Sequence, residues 1–357
     1  MTTLRLGSLF DGIGVFPLAA VRCGIEPVWA SEIEKAPISI TKRHFPDMEH
    51  LGDVTKLDGR DLPPVHIITF GSPCQNLSQI GNRKGLAGEK SSLFFQAIRI
   101  IREMREATNG LFPTIAVWEN VMGAFSSNDR MDFRAVLQSF ADTGVPMPVS
   151  GRWAYAGMVR GRRPDVAWRL LDAQYWGKPR LPQRRRRIFL VADFGGERAG
   201  EILFRPGGVQ PDSAACGPSG MSAPKRNRVP AEKTGREISG ITVCPFQKIR
   251  MRGTAGRKDT NSFLGSFGKR GDPFPTILAS DTNTFALWYG EEYKNGVIRD
   301  LMPVECERLM GLPENWTRYG ADGREISDRA RYRALGNAIA LPCAEYIMRG
   351  IAEALGG

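Results

Sequence analysis

Val65-His66-Ile67-Ile68-Thr69-Phe70-Gly71-Ser72-Pro73-Cys74-Gln75-Asn76 decides how this chain is read. The first half is an apolar run that reads as a strand, and the second half places a thiol in the turn beyond it. In open α/β folds, ligands bind at the carboxyl edge of the sheet, where such a turn lies. Free cysteines are usually small buried core residues. The position of Cys74, more than its identity, therefore raises the question of a nucleophile.

On either side of this stretch, strand-like and helix-like segments alternate as far as about residue 200. Leu4 to Phe10 precedes a glycine turn and the apolar helical stretch Val15 to Cys23. Pro27 to Ser31 leads to Glu32, and a helix is predicted over Lys35 to His44. Phe94, Ala97, Ile98 and Ile101 share one face of a helix predicted over Leu93 to Glu106. Thr114 to Trp118 leads to Glu119, and Ile188 to Ala192 is another apolar strand. This alternation predicts βαβ units, hence an α/β chain with a mostly parallel sheet. Composition shifts near Phe204. From Arg205 to about Gly290 the chain is rich in Gly, Pro, Ser and Arg, and Cys244 to Gly271 carries seven basic residues against one acid. A second, smaller, loop-rich domain is expected there, with a linker or loop over 211–236. Helical patterning returns over Pro303 to Met310 and again after Asp328.

The 357 residues are 42% hydrophobic and 24% charged, an ordinary balance for a globular protein able to bury a core. The net charge of +11 favours a polyanionic partner, nucleic acid before membrane. No two of the six cysteines form C-x-x-C, and there are only three histidines, so neither a metal site nor a disulfide framework is expected. The N-terminal residues lack a signal-peptide core, and no run of about 18 apolar residues occurs. A cytoplasmic protein with reduced thiols and no membrane contact is expected.

Several groups fall at predicted strand ends. In Phe10-Asp11-Gly12-Ile13-Gly14, glycines let the backbone approach a ligand, although a plain β–α turn would read the same way. Glu32 lies about 20 residues on, the separation at which an acid takes the ribose hydroxyls of a nucleoside cofactor. Asp53 suits an adenine amino group, and equally a helix N-cap. No phosphate-binding glycine motif is complete, so the cofactor expected is a nucleoside without a pyrophosphate, which S-adenosylmethionine satisfies. Glu119-Asn120-Val121 ends a strand on the same edge as Cys74. Gln183-Arg184-Arg185-Arg186-Arg187 runs into Ile188. Alternation places Gln183, Arg185 and Arg187 on one strand face, while a basic run by itself also suits solvent or nucleic acid.

Together these residues resemble the DNA (cytosine-5)-methyltransferase family of bacterial and phage modification enzymes. The matches run in the family's order over nearly the whole chain. They are Phe10, Gly12 and Gly14; Glu32; Asp53; Pro73-Cys74-Gln75; Glu119-Asn120-Val121; Gln183, Arg185 and Arg187; Arg299 to Pro313; and Gly336-Asn337-Ala338. The resemblance implies a Rossmann-like methyltransferase sheet in residues 1–204 plus 325–357, with a loop-rich target-recognition domain in 205–324. Pro275-Thr276-Ile277-Leu278 looks like the element that anchors the recognition loops.

The resemblance also implies site roles. Cys74 would add to C6 of a flipped-out cytosine, Glu119 would meet N3 and the exocyclic amine, and Arg185 would hold O2, with Arg187 a further catalytic residue. The cofactor S-adenosylmethionine, leaving as S-adenosylhomocysteine, would be held by Phe10, Gly12, Gly14, Glu32, Ile33, Asp53, Val54, Pro73, Asn337 and Ala338. DNA contacts would come from Gln75, Ser78, Ile80, Gln183, Arg250, Arg252 and Thr276, with the loop Gln75 to Lys90 closing over the flipped base. The implied partner is double-stranded DNA, met by a monomer that uses no metal. A cognate restriction endonuclease would act separately. Asp11 and Phe16-Pro17 depart from the family pattern. Two rival readings share these residues in part. One is the RNA-modifying branch of the fold, whose Cys-Phe-Thr element is absent here. The other is a silent DNA-binding homologue, which would have lost the reactive groups.

Overall fold

A computed structural model describes residues 3–72, 93–160, 164–205, 245–250, 263–267, 274, 276–277, 285–288 and 298–356. Pro73, Cys74, Gln75, Ser78, Ile80 and Arg252 lie outside the described residues, as do the loop expected to close over the base and the linker expected over 211–236.

The larger unit is an eight-stranded sheet. Its strands are β1 (Arg5–Leu9), β2 (Glu26–Ser31), β3 (Glu49–His50), β4 (Ile67–Phe70), β5 (Ile115–Val121), β6 (Ala156–Val159), β7 (Asp165–Asp172) and β8 (Arg186–Asp193), in the order β3-β2-β1-β4-β5-β8-β7-β6. The first five are parallel to one another. β8 enters antiparallel to β5, and β7 and β6 continue antiparallel. The start of β8 therefore lies at the same edge as the carboxyl ends of β1, β2, β4 and β5. The order reverses beside β1, which creates the crevice where ligands of open sheets bind.

Side-chain alternation feeds two cores. Ile67, Ile115, Val117, Phe189 and Val191 face one, while Ile68, Phe70, Ala116, Trp118 and Leu190 face the other. Both faces are covered, so these strands read as continuous apolar runs rather than alternating ones. Helices α1 (Val15–Arg22), α2 (Lys35–His44) and α5 (Ala199–Leu203) contribute to the first face, and α3 (Leu93–Ala107) and α4 (Met131–Ala141) to the second. Gly7 and Gly157 are each overlaid by a tryptophan of the neighbouring strand, and a Cβ at either would lie 2.2 Å from the indole of Trp29 or Trp168.

A four-stranded antiparallel sheet forms the second unit: β9 (Pro245–Arg250), β10 (Phe263–Phe267), β11 (Phe285–Trp288) and β12 (Ile298–Asp300), in the order β10-β9-β11-β12. The chain then returns through α6 (Pro303–Leu309), α7 (Asp328–Asn337) and α8 (Leu341–Leu355).

The return comes earlier than the expected boundary at 325. Leu301, Cys306, Leu309, Met310, Leu312 and Trp316 are buried in the same core as Ile13 and α1. Trp316 donates its indole N–H to Ile13 O at 2.8 Å and stacks on His44 with ring centroids 3.6 Å apart. Buried Glu307 holds this segment by accepting from the Asn315 and Thr317 backbone N–H groups and from Arg331. Residues 301–324 thus pack with the larger sheet. The physical reason is the amphipathic helix beginning at Pro303, whose apolar face has no core of its own to enter.

Candidate active site

At the β1–β2 end, the chain leaves β1 through Phe10 with φ +53°, a left-handed conformation that is strained for a bulky side chain. Gly12 and Gly14 follow at φ +60° and +75°, where a Cβ is disfavoured. The Asp11 backbone N–H donates to Ser31 O at 3.1 Å, which ties the turn to the end of β2. Glu32, the next residue, accepts from the backbone N–H groups of Gly12 (2.9 Å), Ile33 (2.7 Å) and Glu34 (3.0 Å). Three amides fix that carboxylate and still leave it acceptor capacity. The Ile33 side chain beside it is 68% exposed.

Asp11 accepts from the Ser8 hydroxyl at 2.6 Å through Oδ1, while its buried Oδ2 has no partner among the described residues. Burial pushes the Asp11 carboxyl up to about 7; the Ser8 bond opposes this and Glu32 adds to it. Asp53 caps the short turn Val54–Lys56, accepting from the backbone N–H and hydroxyl of Thr55 through Oδ1. These bonds hold its carboxyl below the ordinary range. Val54 is buried in the core.

At the β5–β8 end, Glu119 and Arg187 form an ion pair at 3.0 Å, both largely buried. Burial pushes the Glu119 carboxyl upward, and the charges of Arg187 and Arg185 restrain the shift. The chain leading to Cys74 is held against this pair. Asn120 donates to Ser72 O at 3.0 Å, and the Trp118 indole donates to the Ser72 hydroxyl at 3.3 Å. A Cβ on Gly71 would lie 3.0 Å from Glu119 Oε2, so the backbone here runs close against the carboxylate, which would have to give way by a few tenths of an ångström to a larger residue.

Arg185 stands apart from Arg187. It is 1% exposed, and its guanidinium donates to Ile277 O (3.0 Å), Gly336 O (2.8 Å) and Ala338 O (2.5 Å). Burial drives its pKa well down, with Arg187 adding to the effect and Glu119 opposing it. Its backbone N–H donates to Asp172 at the end of β7. Arg185 lies one residue before β8 and lacks the access expected of it: its terminal nitrogens are committed to backbone carbonyls. Asp172 is buried and also pairs with Arg186 at 3.2 Å. The reading of the sequence missed it together with β7, although an acid closing the run Val166 to Leu171 carries the same signal as Glu119.

Two expected DNA contacts are placed differently. Gln183 is fully buried, and among the described residues neither end of its side-chain amide has a hydrogen-bond partner. The cover comes from a bridge to Phe274, which exchanges backbone hydrogen bonds with Pro182 and Arg184. Thr276 donates its hydroxyl to Arg184 O at 2.6 Å, an anchoring contact. Arg250 ends β9, paired with Phe263. Asn337 is exposed at the end of α7, Ala338 is buried beyond it, and Arg333 of the same helix pairs with Glu34 at 2.7 Å. That contact brings the return segment to the β2 end of the edge. Among the described residues no group of three or more His, Cys, Asp or Glu could hold a metal, and no helix is long and apolar enough to cross a membrane.

Comparisons with known proteins show the family and the fold. The family described as C-5 cytosine-specific DNA methylase matches residues 4–199 and 227–353. A protein of Escherichia phage P1 named DNA N-6-adenine-methyltransferase is 25% identical over 99% of this chain, which spans 62% of that relative's length. Type II methyltransferase M.HhaI of Haemophilus parahaemolyticus is 26% identical, over 99% of this chain and 96% of its own. The solved Dnmt2 methyltransferase of S. pombe shares the fold, with a TM-score of 0.61 at 20% identity, covering 99% of this chain and all of that one.

Proposed function

This chain belongs to the C-5 cytosine-specific DNA methylase family, and on that premise we propose that it methylates C5 of a cytosine flipped out of duplex DNA. Cys74 would be the nucleophile and Glu119 and Arg187 its partners. The observation that carries the reading is the convergence of Gly71-Ser72, the last described residues before Cys74, on the Glu119–Arg187 pair at the carboxyl edge of the sheet.

The chemistry calls for these groups. C5 of cytosine is a poor nucleophile until a thiolate adds at C6 and turns the ring into an enamine. Cys74 would supply that thiolate, its ionisation favoured by nearby arginine charge. Glu119, held to higher pH by burial, would give a proton to N3 as negative charge builds there. Arg187 faces Glu119 and is not tied to main-chain carbonyls of other segments, so the contact to O2 expected of Arg185 passes to Arg187. Loss of the C5 proton and of the thiol would then release 5-methylcytosine. Extruding the base costs a few kcal/mol, to be recovered from DNA contacts.

S-adenosylmethionine fits the β1–β2 end. Glu32 offers a fixed carboxylate for ribose, Ile33 an exposed apolar face, Asp53 an acceptor for the adenine amine, and the glycine turn a backbone without side chains. When bound, it would supply an electrophilic methyl group on a sulfonium. Phe10, Gly12, Gly14, Asn337 and Ala338 would complete its enclosure, and no metal is called on. The basic segment 205–300, carried on the second sheet, would read the DNA. The protein would work as a cytoplasmic monomer, with any cognate endonuclease a separate protein.

The name of the phage relative raises methylation of adenine N6. That amine attacks a methyl group directly and needs no C6 adduct, so the sequence Pro73-Cys74-Gln75 following Ser72, with a Glu119–Arg187 pair, would have no task there. The test is expression in a methylation-free bacterial host beside a Cys74→Ala control. Bisulfite sequencing and nucleoside mass spectrometry would be run on the same DNA. 5-Methylcytosine within one short recurring motif, made only by the wild type, is expected. N6-methyladenine, or product from the alanine variant within about tenfold of wild type, would overturn the assignment.

A further inference from the structure

We propose that Arg185 is a positioning residue that couples DNA engagement to cofactor binding, by holding the DNA-reading segment and the cofactor-closing segment with one guanidinium. The inference rests on the functional reading above and goes beyond it. Neither the order of the motifs nor the chemistry of the base assigns this task to Arg185.

Three segments meet at this side chain. Arg185 itself immediately precedes β8, two residues before Arg187. One terminal nitrogen donates to Ile277 O, 92 positions away, in the segment that follows β10. The other donates to Gly336 O and Ala338 O, 151 and 153 positions away, where α7 ends. The neighbouring backbone repeats the connection: Arg184 N–H donates to Phe274 O and Thr276 donates to Arg184 O. From the other side, α7 reaches the cofactor end through Arg333 and Glu34. A buried guanidinium with no carboxylate in direct contact among the described residues is a poor choice for stability alone. Here its charge is met by three carbonyls drawn from two distant segments.

The geometry has a thermodynamic consequence. All three carbonyls are already bonded to this guanidinium in the structure, so a ligand that favours either segment in this arrangement steadies the other through the same side chain. Steadying one therefore lowers the cost of steadying the other, and the two ligands must help each other by the same factor. Gln183 lies at the same clamp, bridged to Phe274, and its buried amide has no partner among the described residues, a set of bonds left unmade where the segments meet.

The experiment uses the full chain, S-adenosylhomocysteine, and a short duplex carrying the motif found by bisulfite sequencing. S-adenosylhomocysteine affinity is measured by calorimetry with and without the duplex, for wild type, Arg185→Lys, Arg185→Met and Thr276→Val. Wild type should bind S-adenosylhomocysteine about 5–150-fold more tightly on DNA, the usual range of such couplings. Arg185→Met should reduce that factor to nearly one. Arg185→Lys should keep part of it, because an ammonium reaches fewer carbonyls at once. Thr276→Val removes only a peripheral anchor, so it tests the coupling in a chain that folds even if Arg185→Met does not. It should lower the factor about two- to threefold. A residue that merely supports the fold would lower stability and leave the factor unchanged, so folded variants that keep the wild-type factor overturn the proposal. A wild type that binds both ligands without coupling also overturns it. A wild type that binds neither sinks the functional reading as well.

Discussion

The two ends of one sheet edge solve the same problem differently. At β1–β2 the two carboxylates at the glycine turn are held by neutral groups: Glu32 by three backbone amides and Asp11 by one hydroxyl. At β5–β8 the carboxylate is held by a full charge, Arg187 on Glu119. Burial raises both Asp11 and Glu119, but only Glu119 has arginines to restrain the shift. The lesson concerns what each end can do. A lattice of amides binds a ligand without committing charge, which suits a polar nucleoside with charges of its own. An ion pair kept out of water can move a proton or stabilise charge that develops during a reaction.

Removing the charge that distinguishes the second end should give the largest effect. Arg187→Met leaves Glu119 buried without its contacting cation, so its carboxyl should rise further. Turnover should fall about 10²–10³-fold, or about 3–4 kcal/mol. Steady-state rates from pH 6 to 9 would show it, and a rate within threefold of wild type would mean that the pair has no part in the chemistry.

The next effect appears in stability. With Asp11 raised from 3.8 to about 7, folding favours its neutral form. The stability it contributes is complete below pH 4 and is lost as pH rises through about 7. Asp11→Asn keeps the neutral shape, so the variant should match wild type near pH 4 and exceed it at pH 8 by about 2–4 kcal/mol. Urea midpoints at the two pH values decide this, and a pH-independent gap would show that Asp11 is already ionised in the fold.

Much of this edge was legible in the sequence, because strand ends announce themselves locally. An apolar run followed by Gly, Pro or an acid predicted β1, β2, β4, β5 and β8 and, with them, Glu32 and Glu119. The helix over Lys35–His44 was matched residue for residue. What stayed hidden depends on distant segments. Alternation placed Arg185 and Arg187 on one face, but burial of Arg185 comes from Ile277, Gly336 and Ala338, far along the chain. Gln183 is covered by the same strap. β7 was missed because Arg169 interrupts its apolar run, and that guanidinium is accommodated by the carbonyl of Leu203 at 2.8 Å. The earlier return at 301 was missed because the helix at Pro303 gave no sign of which core would take its apolar face.

Glu32 tests whether amides alone define the first end. Glu32→Gln removes a charged acceptor from three N–H donors and from the ribose hydroxyls. S-adenosylhomocysteine affinity should drop about 10–100-fold, or about 1.5–3 kcal/mol, with DNA affinity measured alone unchanged. Calorimetry checks the first and fluorescence anisotropy the second. Loss of both together would mean that the turn collapses rather than that a ligand contact is lost.

Asp53 gives the smallest effect and the finest distinction, because two roles share one carboxylate. As the cap of the turn Val54–Lys56, its loss in Asp53→Ala should cost about 1 kcal/mol of stability. Asparagine caps nearly as well, so Asp53→Asn should leave stability unchanged. The cofactor role separates from this, since an amide presents a weaker acceptor to an adenine amine than a carboxylate does. Asp53→Asn should therefore weaken S-adenosylhomocysteine binding about three- to tenfold at constant Tm. If instead only Asp53→Ala changes anything, and changes stability and affinity in proportion, Asp53 is a cap that shapes the pocket from outside. The β1–β2 end would then hold its nucleoside through Glu32 and main-chain groups, which would make its contrast with the charged β5–β8 end sharper still.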